Sequence, residues 1–156
     1  MAIYLKHPEL KGNVTHEKYK DHIEFSLAEW EVGCSTDMRA GHYTDVKMST
    51  PWASDISLIK RIDLATPRIM EHIRKDKVAQ DVKLFYVSDD REILVVTLND
   101  ARLNYHKFTM SEGEIREQIQ INYSEIRVKY NKYDKTGKLV TSDEGVFDIA
   151  KLTTTA

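Results

Sequence analysis

The side chains best spaced for covalent chemistry are Ser57 and Lys60, which form an S-x-x-K box in Ser57-Leu58-Ile59-Lys60. Serine β-lactamases combine such a box with a K-T-G triplet, and Lys135-Thr136-Gly137 supplies one downstream. In those enzymes the serine opens a helix, whereas Ser57 lies in an alternating, strand-like pattern. A chain of 156 residues is also much smaller than a penicillin-recognising fold. Paired carboxylates come next, because glycoside hydrolysis needs two acids a few ångströms apart. Glu112 and Glu114 flank Gly113 and read as turn charges. Glu29 and Glu31 bracket Trp30, so one face of that strand packs while the other is acidic and open to water. The chemistry of the residues therefore points away from an enzyme.

The histidines (His7, His16, His22, His42, His72 and His106) show no metal-binding spacing to one another or to Cys34, although His16 and His22 could approach in space. They read as structural residues, and neither metal nor cofactor is expected. Cys34, the single cysteine, has no adjacent base and reads as a small core or loop residue that needs no oxidising compartment. Tyr130-Asn131-Lys132-Tyr133-Asp134-Lys135 interleaves aromatics with lysines, as single-strand binders do. The balance of 23 basic against 25 acidic residues favours a strand running into a hairpin, and no nucleic-acid partner is expected.

The elements that must position these groups are mostly strands. Apolar residues alternate with period two at Ile3 and Leu5; Ile23, Phe25 and Leu27; Val82, Leu84 and Tyr86; Leu94, Val96 and Leu98; and Ile119, Ile121 and Tyr123. The phase slips by one residue between Leu27 and Ala28, Trp30 and Val32, and again between Tyr123 and Ile126, Val128 and Tyr130. Two slips, each midway through a long strand, predict bulges that curl the sheet into a barrel. One helix is legible over about residues 66–76, with Thr66 as cap, Pro67 in the first helical position and Ile69, Met70 and Ile73 on one face. Hairpin turns are signalled at Ser88-Asp89-Asp90-Arg91 and Asp134-Lys135-Thr136-Gly137. Between Gly33 and Ser54 no strand pattern survives, which predicts one long loop.

The fold class is thus mainly β: a barrel of two sheets with bulged long strands and one short flanking helix, in a single domain over residues 1–156. With 41% apolar and 31% charged residues, the chain can bury a core without staples. Lys6, Glu9 and Lys11 interrupt any leader-like apolar segment, and no run approaches the roughly 18 apolar residues of a membrane span. A cytoplasmic protein without a signal peptide and without membrane insertion is expected.

The order of these pieces resembles the Hcp family, the haemolysin-coregulated proteins that form the inner tube of type VI secretion systems. The resemblance is carried by Ala2-Ile3-Tyr4-Leu5-Lys6 with Lys11-Gly12, by Trp30, by Asp63-Leu64-Ala65-Thr66-Pro67-Arg68-Ile69-Met70, by the run Gln120 to Tyr130, and by Asp134-Lys135-Thr136-Gly137-Lys138. It implies a two-sheet barrel that forms homohexameric rings and stacks them into a tube. Its partners would be the sheath, the spike and small effectors held in the lumen, and it would leave the cell through the secretion machine. The long loop would reach a neighbouring subunit or ring, which makes Gly41, His42, Tyr43, Pro51 and Trp52 candidate ring contacts. Glu29 and Glu31 become lumen-facing candidates, where the family often has a small polar residue just before the tryptophan. An acidic lumen would prefer basic passengers. The sequence ends just past its last strand pattern, so any toxicity is expected to come from passengers. The rival reading is a barrel that binds a small ligand in its interior.

Overall fold

The structure is a computed structural model that describes residues 1–37, 47–48, 50–75 and 79–151. Strands β1 (Ala2–Lys6), β2 (Ile23–Phe25), β3 (Leu27–Glu29), β4 (Val32–Gly33), β5 (Thr36–Asp37), β6 (Lys47–Met48), β7 (Trp52–Ala53) and β8 (Ile56–Arg61) precede helix α1 (Thr66–Arg74). Strands β9 (Gln80–Ser88), β10 (Arg91–Ser111), β11 (Glu114–Asn122), β12 (Glu125–Tyr133) and β13 (Leu139–Asp148) follow. The main sheet runs β2-β1-β9-β10-β11-β8-β3, with β12 on β10 and β13 on β12, and every pairing is antiparallel. Its path begins at β2 and ends at β3, which the chain joins through Ser26, so the sheet returns on itself as a barrel.

β10 is the hinge of the two layers. Its Leu94–Asn99 half pairs with β12 and its Arg102–Ser111 half with β11. Between the halves Asp100 takes φ 52° and the register against β9 shifts between Leu98 and Ala101. Tyr123 and Ser124 cross from β11 to β12 at the same level, where Ser124 N donates to Asn99 O at 3.0 Å.

The two phase slips are therefore not bulges inside single strands. β2 pairs with β1 in the first layer, whereas β3 pairs with β8 in the second. Ser26 makes the crossing, its backbone N donating to Ile59 O at 2.8 Å. A chain that passes from one layer to the facing one must re-aim its side chains to keep the same core inside, and one residue out of phase does so. The expected curl is present, but its agents are layer crossings.

The core gathers the inward residues of both layers, among them Leu5, Ile23, Phe25, Ile56, Leu58, Leu84, Val96, Leu98, Ile119, Ile121 and Ile126, all buried. Each contributes about 1.5–3 kcal/mol by leaving water. α1 covers one flank with Ala65 and Ile69 fully buried and Ile73 packed beside them. Met70 is 57% exposed, because 69 and 73 lie one turn apart on one face while 70 sits about 100° round from it. The helix ends at Arg74, and Asp76 lies outside the described residues. Both expected hairpins form. Asp89 and Asp90 take φ 51° and 61°, the double left-handed geometry of a two-residue turn. Gly137 takes φ 89° with the Arg91 guanidinium where a Cβ would stand.

Candidate functional site

A hollow of about 600 Å³ lies on the outward face of the second layer, lined by Glu29, Trp30, Glu31, Ser54, Asp55, Ser57, Gln118 and Gln120. Strand register builds it. Glu29 of β3 stands opposite Ser57 of β8, and Ser57 stands opposite Gln120 of β11, so three outward side chains fall in one row. Gln118 Nε2 donates to Ser57 Oγ at 3.1 Å. Asp55 is held on both oxygens by the side-chain amides of Asn104 and Asn122, each at 2.9 Å. Past β3, Glu31 N donates to Ser54 Oγ at 3.0 Å and Ser54 N to Glu31 O at 2.9 Å. The Tyr123 hydroxyl donates to Ser54 O at 2.7 Å, and burial, followed by the nearby Asp55 charge, pushes its pKa up.

Glu29 and Glu31 are exposed while Trp30 packs on the core, as the alternation predicts. General-acid chemistry relies on an apolar pocket around one of two carboxyls, and neither of these is enclosed. What the hollow offers is negative charge on a wet, hydrogen-bonding floor. Sequence reasoning missed Asp55 and the two glutamines. Their signal was present in the polar alternation Arg116, Gln118, Gln120, Asn122 along β11, the outward half of a strand whose inward half is Glu117, Ile119 and Ile121.

Ser57 and Lys60 point to opposite faces of β8, because a three-residue spacing that shares a helix face splits across a strand. Ser57 lines the hollow and Lys60 is 1% exposed inside the barrel. The Lys60 ammonium donates to Asp63 Oδ1 at 2.7 Å, to Arg61 O at 3.0 Å and to Thr66 Oγ1 at 3.2 Å, and it pairs with Glu117 Oε2. The Thr66 hydroxyl donates to Glu117 Oε2 at 2.8 Å and accepts from Asp63 N at 3.0 Å. His106 Nε2 lies 2.8 Å from Glu117 Oε1, and its Nδ1 is buried with no hydrogen-bond partner among the described residues. Thr66 is thus not the helix cap. Ala65 occupies that position, and the Thr66 hydroxyl serves a buried ionic cluster that ties β8, β10 and β11 to the first turn of α1. Lys135-Thr136-Gly137 sits in the turn between β12 and β13, in the other layer.

His16 and His22 each pack on the ring of Tyr19, with centroids 5.3 and 5.6 Å away. Tyr19 is buried on the outside of β1 and β9, and its hydroxyl donates to Glu92 Oε1 at 3.0 Å. Burial, then that hydrogen bond, raises its pKa.

The stretch from Gly33 to Ser54 is not wholly irregular. β4 pairs with β7 and β5 with β6, so its described parts include two separate, short two-stranded ladders. Strands of two residues are too short for periodicity to reveal. Gly33 stands opposite Trp52, whose indole lies against its backbone; a Cβ there would come within 2.6 Å of Trp52 Cζ2. Trp52 is 43% exposed and Pro51 is half-buried. Gly41, His42 and Tyr43 lie outside the described residues.

The profile of the family described as the type VI secretion system effector Hcp matches residues 4–130. The chain belongs to the Hcp family. The Hcp fold recurs in solved structures. A type six secretion system protein is 17% identical, over 97% of this chain and 98% of its own, with a TM-score of 0.87. A type VI secretion system effector from Yersinia pestis is 18% identical, over 94% and 98%, with a TM-score of 0.73. Hcp1 from Salmonella typhimurium is 20% identical, over 97% and 96%, with a TM-score of 0.72. At such identities the likeness is one of fold. No curated protein matches the chain. Hcp membership makes this a type VI secretion tube protein, and the family role is structural.

Proposed function

We propose that the chain closes into six-membered rings, that the rings stack into the expelled tube, and that the acidic hollow faces the lumen and favours basic effector proteins. The observation that carries this reading is β13. Among the described residues it is an edge strand, of ten residues, with Leu139 51%, Val140 58% and Val146 52% exposed; it has neither lysine nor proline, and its charges are the acids Asp143, Glu144 and Asp148. Exposed apolar side chains along a free edge fit burial against another copy. Met110, 78% exposed at the end of β10, offers a second patch on a different element, as a head-to-tail ring contact requires.

Assembly in the cytoplasm, expulsion by a contracting sheath behind a spike, and effector carriage belong to the same proposal. No helix among the described residues is long and apolar enough to cross a membrane. The rival ligand barrel has weak support. The apolar cavity between Ile3, Ala28, Trp30, Leu84, Leu94 and Val96 holds about 200 Å³, below the roughly 300–1,000 Å³ of ordinary ligand sites. Native mass spectrometry of the purified chain tests the reading: a six-fold ring is expected, and a monomer at micromolar concentration overturns it.

A further inference from the structure

The outward face of the first layer carries a row of like charges that the fold does not need. Register sets Lys6 of β1 opposite Lys83 of β9, Lys83 opposite Thr97 of β10, and Thr97 opposite Arg127 of β12. Lys129 stands one row away, opposite Val95. Lys6, Lys83, Arg127 and Lys129 are all exposed. Side chains directly opposed across an antiparallel ladder have Cβ atoms about 4.5–5.5 Å apart, where like charges destabilise the pair.

The bordering carboxylates do not relieve it. Glu125 is taken by Asn99 at 3.0 Å and by Arg127, and Glu144 reaches Arg127 at 3.9 Å. Asp81 accepts from Asp100 N at 3.1 Å, and Asp148 accepts from Ala150 N at 3.0 Å and pairs with Lys151 at 3.5 Å. The ammonium groups of Lys6, Lys83 and Lys129 enter no ion pair among the described residues. Glu144 stands opposite Lys129 but reaches Arg127 instead, and Lys6 and Lys83, which face each other, make no ion pair among the described residues.

We propose that this row, with Lys6 and Lys83 at its centre, is a docking surface for the carboxylate-rich face of a partner protein. Complementary charge across an interface selects partners and speeds encounter more than it adds affinity, which suits unpaired lysines on a flat sheet face. A protein partner fits better than a polyphosphate. Glu24, opposite Tyr4 on the same face, with Asp81 and Glu144, interrupts the field that a continuous phosphate backbone follows. Discrete carboxylates on a folded surface can meet the lysines and avoid those acids. The inference concerns one copy of the chain and does not depend on ring closure.

The test uses the full chain and a fluorescent oligoglutamate peptide, read by anisotropy at about 50 mM and about 300 mM salt. Binding at the lower salt is expected, weakened about tenfold at the higher. The double variant K6E/K83E should weaken it by about tenfold at the lower salt and K83E alone by several-fold, while K107E, the same single charge reversal as K83E but on the other layer, leaves it unchanged. Thermal melting adds a readout that a merely structural row would move the other way. K83E places opposite charges across the ladder and should raise Tm by about 1–3 °C. The proposal is overturned if oligoglutamate fails to bind at low salt, if K107E weakens it as much as K6E/K83E, or if K83E lowers Tm. Tighter, Lys83-dependent binding of a single-stranded oligonucleotide or of phosphatidylserine vesicles would overturn the assignment to a protein partner.

Discussion

Replacing Lys60 with methionine should be the most damaging single change in the second layer. Methionine keeps the length of the side chain and removes the charge. It leaves Glu117, whose side chain is fully buried, and Asp63, 11% exposed, without their shared cation. The Thr66 hydroxyl still donates to Glu117, and His106 still touches its other oxygen, so the carboxylate keeps part of its hydrogen bonding. What it loses is charge compensation. Removing one partner of a buried ion pair costs about 3–5 kcal/mol, because the remaining charge stays out of water. In a chain of this size each kcal/mol moves Tm by about 2–4 °C, so Lys60→Met should lower Tm by about 6–20 °C. Urea unfolding followed by circular dichroism, at one fixed protomer concentration, gives the free energy directly. The double variant Lys60→Met with Glu117→Leu removes both buried charges and should recover most of the loss, since apolar replacements of a buried pair are often near neutral. Glu117→Leu alone strands the Lys60 ammonium beside Asp63 and should cost less than Lys60→Met, because Asp63 still pairs with it. A Lys60→Met loss under about 1 kcal/mol, or a cycle in which the two changes simply add, would refute a pair held by mutual burial.

Gly33→Ala should leave the barrel melting within a few degrees of wild type but move the Trp52 emission maximum, since the added methyl meets the indole at 2.6 Å; steady-state fluorescence in a Trp30→Phe background reads this, and an unchanged spectrum tells against the contact. The turn after β12 makes a pH-dependent statement. The Thr136 hydroxyl, at 2.6 Å, and then the Lys138 backbone N–H hold the Asp134 carboxyl below the usual aspartate range. Its depressed folded pKa means that its contribution is present above the unfolded aspartate value and is lost as pH falls through the folded one. Carboxyl NMR titration should place Asp134 below a reference aspartate, and Thr136→Ala should raise it; a normal titration would contradict the turn geometry.

The strands were legible because their inward faces alternate cleanly, and the helix because Pro67 and the spacing of Ile69 and Ile73 leave few other conformations. Turn chemistry marked the hairpins at Asp89-Asp90 and Gly137. What escaped is what register alone decides. Lys60 continues the inward series Ile56 and Leu58, and Glu117 continues Ile119 and Ile121, so each strand announces a charge at a core position. That the two charges meet follows only from the pairing of Lys60 with Glu117 across β8 and β11, far apart in sequence. The layer crossings at Ser26 and Ser124 escaped for the same reason, since a bulge and a crossing leave the same slip in the pattern. Among the candidate site residues, Glu29 and Glu31 were legible from Trp30 between them. Asp55 was not, because its role comes from Asn104 and Asn122 on other strands.

The placement of charge ties the ring proposal to the docking proposal. The second layer turns Glu29, Glu31 and Asp55 outward, and the first turns Lys6, Lys83 and Lys129 outward, so a chain of net charge −2 presents acidic and basic fields on different faces of one barrel. If the acidic hollow lines a lumen, the facing layer and its lysines lie toward the outside of the ring, where a surrounding partner would meet them. Each reading then restricts the other. K6E/K83E should weaken oligoglutamate binding about tenfold without changing ring mass, whereas Val146→Lys on the β13 edge should break rings and spare oligoglutamate binding by the monomer. Loss of rings in K6E/K83E would place the lysine row inside a subunit contact and contradict an outward-facing first layer.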